Sequence, residues 1–152
     1  MLSFEKRPLR VITICLFRHE DHLFVFEGTD PSKPETFYRP LGGQVEFQET
    51  GRHAIVREIK EEINAEVEGL RFHDTLENIF TFGGKPYHEI VLVYEAQFVD
   101  KSFYNLTRIV DGDEEGTPFK AMWMPIAKFQ IGEVILYPDG LLDLIVNGSN
   151  PI

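Results

Sequence analysis

The stretch from Gly42 to Ala65 constrains this chain more than any other. It opens on Gly42-Gly43, runs through Gln44-Val45-Glu46-Phe47-Gln48-Glu49, and carries no Pro or Gly from Arg52 to Ile63. Helix formers dominate that interval, so the spacing predicts a helix with Thr50 as N-cap and Glu49 at the positive end of its dipole. Ile55, Ile59 and Ile63, with Val56 alongside, recur at helical spacing and predict one apolar stripe. Glu58, Glu61 and Glu62 stand at i, i+3 and i+4, so three carboxylates share a neighbouring face. On an exposed helix such like charges cost only about 0.2–0.5 kcal/mol per pair, and a solvated surface would account for them.

The register decides between a solvated face and a site. Gly43 precedes Glu49 by six positions, Arg57-Glu58 follow eight and nine positions later, and Ile59 and then Glu61-Glu62 come next. The pattern closely resembles the signature of the Nudix hydrolases. That signature runs Gly, five free positions, Glu, seven free positions, Arg-Glu, aliphatic, free, Glu-Glu, free, Gly, aliphatic. Two positions depart from it: Asn64 stands where the family has Gly, and Ala65 where it has a larger aliphatic. The family Gly ends the helix, and Asn is the next best residue at a left-handed C′ position. Every charged position of the motif is present.

A length of 152 residues fits one domain, 1–152, with a real core. The formal charge of −10 argues against stable binding to nucleic acid or to an anionic membrane. A polyanionic substrate would be repelled unless a metal or local Arg and Lys groups supplied positive charge. Cys15 is the only cysteine, so no intramolecular disulfide forms, and its apolar surroundings predict a buried, inert thiol. No signal peptide and no apolar run long enough to span a bilayer is seen, which makes the cytoplasm the expected location.

Along the chain, Leu9–Phe17 and Leu23–Phe26 read as strands, paired as a hairpin across the polar segment 18–22. The two histidines of that segment, with no further ligands near, read as part of a solvated turn. Gly28–Phe37 reads as a Pro-punctuated loop leading to the glycine turn. After the helix, Ala65–Phe72, Thr75–Phe82 and Tyr87–Val99 read as strands, the last two joined by Gly83-Gly84-Lys85-Pro86. Phe103–Val110 is ambiguous, and Asp111–Gly116 reads as an acidic loop. Thr117–Met124 is expected as a strand that places Trp123 in the core, and Pro125–Gly132 as a helical turn. Pro138 at N1 is expected to open a last helix through Asn147, and the tail from Gly148 to Ile152 to fray. The local reading is an α+β single domain. The family resemblance adds an α/β/α sandwich, with a mixed sheet between helices.

The resemblance implies hydrolysis of a nucleoside diphosphate linked to another moiety, a small nucleotide-type substrate, and a cofactor of Mg²⁺ or Mn²⁺. By position it implies Glu58 and Glu62 as the main metal ligands, with Glu61 a third and the carbonyl of Gly42 completing the shell. Glu49 and Arg57 would form a supporting ion pair, and the base would be Glu58 or Glu61. Many members add a carboxylate from a later loop. Glu115, from the run Asp113-Glu114-Glu115, is the expected residue, with Glu89 as its rival. Arg39 is expected to contact phosphate, and Tyr38 and Phe37 to be candidates for base stacking. Two other readings share the scaffold: an inactive nucleotide sensor, which should have lost motif carboxylates, and a diphosphate-lipid isomerase, which should have a cysteine in its pocket. Glu77-Asn78-Ile79-Phe80 with His88-Glu89-Ile90 resembles small bacterial-type members, and no subfamily signature identifies the substrate. Homodimerisation is left open.

Overall fold

The central strands of this chain bury residues on both of their faces. In the computed structural model, which describes residues 8–148, the first strand, β1 (Leu9–Leu16), sends Cys15 to one apolar cluster and Ile14 and Leu16 to another. β3 (His22–Asp30) divides Phe24 and Phe26 from Leu23 and Val25 in the same way. The period-2 pleat thus builds a middle layer with a core above and below it. The helix α1 (Gly51–Ile63) closes the first cluster with Ile55, Ile59 and Ile63. A short helix, α3 (Leu141–Asn147), closes the second with Leu141, Leu144 and Ile145.

The middle layer has two sheets. One runs in the order β5 (Gly42–Gln44), β1, β7 (Lys85–Phe98), β6 (Val67–Phe82). It is mixed, because β1 and β7 are parallel while the other pairs are antiparallel. The other runs β2 (Arg18–His19), β3, β9 (Thr117–Pro125), β8 (Val110–Glu114), with β4 (Glu35–Arg39) also paired to β3. A 3₁₀ turn at Lys101–Tyr104 and the short helix α2 (Ile126–Gln130) complete the chain. Among the described residues no helix is long and apolar enough to cross a membrane.

Several sequence expectations are corrected. β1 and β3 do not form a hairpin. They lie in different sheets that adjoin where the Phe24 amide donates to the Phe17 carbonyl (3.0 Å), and the tight hairpin is β2–β3. The expected loop Gly28–Phe37 is mostly ladder, with Gly28, Thr29 and Asp30 facing Phe37, Thr36 and Glu35. The expected strands 65–72 and 75–82 are one long β6, continuous through two register shifts. The acidic segment 111–116 is not a loop but one arm and the turn of the β8–β9 hairpin. Val56 is exposed rather than part of the buried stripe. The last helix begins at Leu141, and Pro138 lies in the preceding segment. Of the tail expected to fray, only Gly148 is described, as the left-handed cap of α3; 149–152 lie outside the described residues.

Candidate active site

The glycine turn and the helix are fitted to each other at contact distance. β5 pairs with β1, setting Gly42 opposite Ile14 and Gly43 opposite Thr13. A Cβ at Gly42 would overlap the Thr13 carbonyl, and one at Gly43 would overlap the Glu58 carboxylate. Only glycine lets the backbone come this near both the sheet and the acidic helix face. The helix itself is capped as its sequence requires: Thr50 accepts from the His53 amide at 3.1 Å, and Asn64 ends it at φ 53°, its amide donating to the Lys60 carbonyl.

Arg57 ties the turn to the helix. Its Nε and Nη2 donate to the two oxygens of Glu49 at 2.7 and 2.8 Å, a bidentate pair. Nη2 also donates to the Gln44 carbonyl (3.1 Å), and Nη1 to Glu58 Oε1 (2.8 Å) and Glu61 Oε2 (3.2 Å). The Arg57 hydrogen bonds hold the Glu49 carboxyl down at about 2, and the same bonds raise the guanidinium. One cation therefore fixes the 44–49 segment and aims Glu58.

Glu62 is the anomaly. Its residue is 4% exposed, and neither carboxylate oxygen meets a donor of another residue, the one side chain with which it can share a proton being the Glu58 carboxyl. Burial, then the charges of Glu114 and Glu58, push its pKa up to about 9, with Arg39 opposing. Both acidic neighbours are acceptors unless one carries a proton, so they cannot satisfy an ionised Glu62. Burial also raises Glu58, against the pull of Arg57. Glu61 is exposed. Among the described residues no three Asp, Glu, His or Cys side chains are closed around one point. Two orphaned, buried carboxylate oxygens beside further carboxylates are nonetheless a donor set suited to a hard divalent cation.

Glu114 is the residue that the sequence reading missed. It is the last ladder residue of β8, opposite Thr117, and its charge raises both Glu58 and Glu62. β8 packs on α1 at Gly112, where a Cβ would come 3.0 Å from the Glu62 carbonyl. Glu115 instead occupies the turn at φ 49°, exposed, and Asp113 turns outward to accept from the Gly116 amide at 3.0 Å. The structure does not bring Glu115 to Glu58 and Glu62. The signal that could have found Glu114 is strand alternation: Val110, Gly112 and Glu114 share the inward side of β8.

An open cavity of roughly 480 Å³ is lined in part by Phe37, Arg39, Asn78, Phe82 and Glu89, and by none of the carboxylates of this cluster. Arg39 joins the two, since it lines the cavity while its charge acts on Glu62. Tyr38, the intervening residue of β4, points the other way, with its hydroxyl 3.4 Å from Glu27 and its ring edge-on to Phe129. Phe37 lines the cavity but is buried against Phe82 and Tyr137. Glu89 is buried in an ion pair with Arg10.

Solved structures share this fold at low identity. A Nudix hydrolase from Nitrosomonas europaea aligns with a TM-score of 0.65 at 14% identity, covering 93% of this chain and 88% of that one. A MutT Nudix hydrolase from Burkholderia pseudomallei gives 0.60 at 19%, covering 80% and 86%. The MutT protein from Methanosarcina mazei Go1 gives 0.61 at 16%, covering 96% of each. No curated protein sequence matches. Residues 6–141 match the family described as the NUDIX domain, and the chain therefore belongs to the Nudix hydrolase family.

Proposed function

We propose that the protein hydrolyses a phosphoanhydride bond in a nucleoside diphosphate linked to another moiety, with Mg²⁺ or Mn²⁺ held by Glu58, Glu61 and Glu62 and the Gly42 carbonyl. The observation that carries this reading is Glu62, a buried carboxylate with no donor for either oxygen. Burying an ionised carboxyl without a partner is costly, and a cation taken up at Glu62 would relieve that cost. The ion, when bound, neutralises phosphate charge and polarises the bond to be broken. Arg57 and Glu49 hold Glu58 in place. Arg39 offers a fork of donors to a phosphate oxygen from the cavity lining. Glu58 and Glu61 are the groups within the cluster to take the proton of the attacking water, and Glu114 supplies the further carboxylate.

Incubation with a panel of nucleoside diphosphate derivatives and Mg²⁺, read by release of nucleoside monophosphate or phosphate, tests the reading. Turnover of at least one member is expected, falling about 100-fold or more in Glu62→Gln with the fold retained. Native-like turnover by Glu62→Gln at limiting Mg²⁺ would overturn the metal assignment. Tight nucleotide binding with no turnover of any member would favour a sensor.

A further inference from the structure

We infer that Asn78 and Glu89 read the base of the substrate nucleotide, and that the base they select is guanine. The inference rests on the nucleotide-hydrolase reading and adds a substrate class to it. It starts from the register of the first sheet. Arg10 on β1 stands opposite Glu89 on β7, and Glu89 stands opposite Asn78 on β6, so one polar row crosses three strands. All three residues line the cavity. The next row on the same face is Phe80 opposite Tyr87, whose rings stack 5.3 Å apart at 14°. The floor is therefore a polar strip beside a flat aromatic one.

The polar strip is incompletely satisfied. Asn78 and Glu89 are both buried, at 9% and 4% exposure. Arg10 engages Oε2 of Glu89, and its guanidinium lies 4.8 Å over the Tyr87 ring, which holds it in place. Among the described residues no group donates to the other Glu89 oxygen, and the Asn78 carboxamide makes no hydrogen bond. Buried polar groups left open toward a cavity are where a ligand completes the bonding.

The chemistry of the row selects the ligand edge. An ion-paired carboxylate only accepts, so the ligand must present N–H donors to Glu89. A carboxamide both donates and accepts, so Asn78 can meet the atom alongside. Guanine carries two adjacent donors, its 2-amino group and N1–H, followed by the O6 acceptor. That order matches a carboxylate next to an amide. Adenine offers one donor and one acceptor on the same edge and leaves a carboxylate lone pair unmet. Arg39 lines the same cavity, and its fork of donors is where the phosphates of the bound nucleotide would lie.

Binding is measured rather than turnover, so that this inference and the hydrolase reading fail separately. GMP, IMP and AMP are titrated against the full chain by calorimetry. GMP is expected to bind about tenfold or more tightly than AMP, with IMP, which lacks the 2-amino group, between them. Asn78→Leu and Glu89→Gln should each remove most of the preference. Because Glu89→Gln leaves Arg10 unpaired and could disturb the fold, Asn78→Leu is decisive on its own. Equal affinity for GMP and AMP, absence of GMP binding, or a guanine preference that survives Asn78→Leu would overturn the inference while leaving the hydrolase reading intact. Guanine preference in binding without turnover of any nucleotide would sustain it and overturn the other.

Discussion

Glu114 and Glu115 are chain neighbours in opposite environments. Glu114 ends a ladder with its side chain on the inward pleat, where its charge acts on Glu58 and Glu62. Glu115 and Gly116 form a two-residue turn, both at positive φ, a geometry that matches the twist of the flanking strands and points the Glu115 side chain outward. If the further carboxylate acts on the cation or the attacking water, Glu114→Gln should lower kcat by about 10–100-fold, with a smaller change in KM. Glu115→Gln should leave both within about twofold. Equal, small effects of the two substitutions in steady-state kinetics would show that β8 contributes only its backbone. The sequence alone favours Glu115 because Gly116 beside it reads as a flexible hinge. In the fold the same glycine fixes a turn, and the pleat decides which carboxylate faces in.

At the scale of elements, α1 was legible nearly residue by residue because its determinants are local. The Thr50 cap, the Ile55–Ile59–Ile63 spacing and the Asn64 stop each act within a turn or two of the chain. Asn64 holds φ 53° and its side chain makes no hydrogen bond among the described residues. Asn64→Gly should therefore change stability by less than about 1 kcal/mol, easier left-handed geometry offsetting a freer unfolded chain. A larger loss in denaturant unfolding would show that the carboxamide is needed. The strands were less legible because their partners are distant in sequence. The pairing of β1 with β7, 79 positions away at Arg10 and Glu89, leaves no local trace. Pro31 and Pro34 suggest a loop where the chain makes a hairpin between β3 and β4, since neither proline stands within the ladder itself. The bulges of β6 look like strand ends in sequence because a register shift breaks the alternation. Pro138 satisfies the rule for a first helical residue, whereas the left-handed Gly140 sets the actual start of α3. The acidic face of α1 was readable for a similar reason to its caps, but the row Arg10–Glu89–Asn78 exists only once three strands are aligned.

For the whole molecule, the buried carboxylate gives the proposed cation site a consequence for folding. The Glu62 carboxyl moves from an ordinary 4.5 to about 9 on folding, so between those values the folded chain holds a proton that the unfolded chain has released. Stability is then greatest below pH 4.5 as far as this group is concerned, and it declines as pH rises toward 9, by at most about 1.4 kcal/mol per pH unit. Glu58, also raised by burial, adds to the same slope. Glu49, held down at about 2, works in the opposite sense but only below 4.5, so it does not mask the trend. In EDTA, Tm should therefore fall steadily from pH 5 to pH 9 in calorimetric scans, and Glu62→Gln should flatten most of that fall, because an amide is neutral throughout. Saturating Mg²⁺ should flatten it as well, since a cation that binds the ionised carboxylate stabilises the folded chain more as the proton leaves. The two treatments should not add: Mg²⁺ should raise the Tm of the wild-type chain at pH 8 by several degrees and that of Glu62→Gln by much less. A Tm that is level with pH in EDTA would mean that Glu62 is solvated or partnered in solution, and an equal Mg²⁺ effect on both chains would move the cation away from this carboxylate.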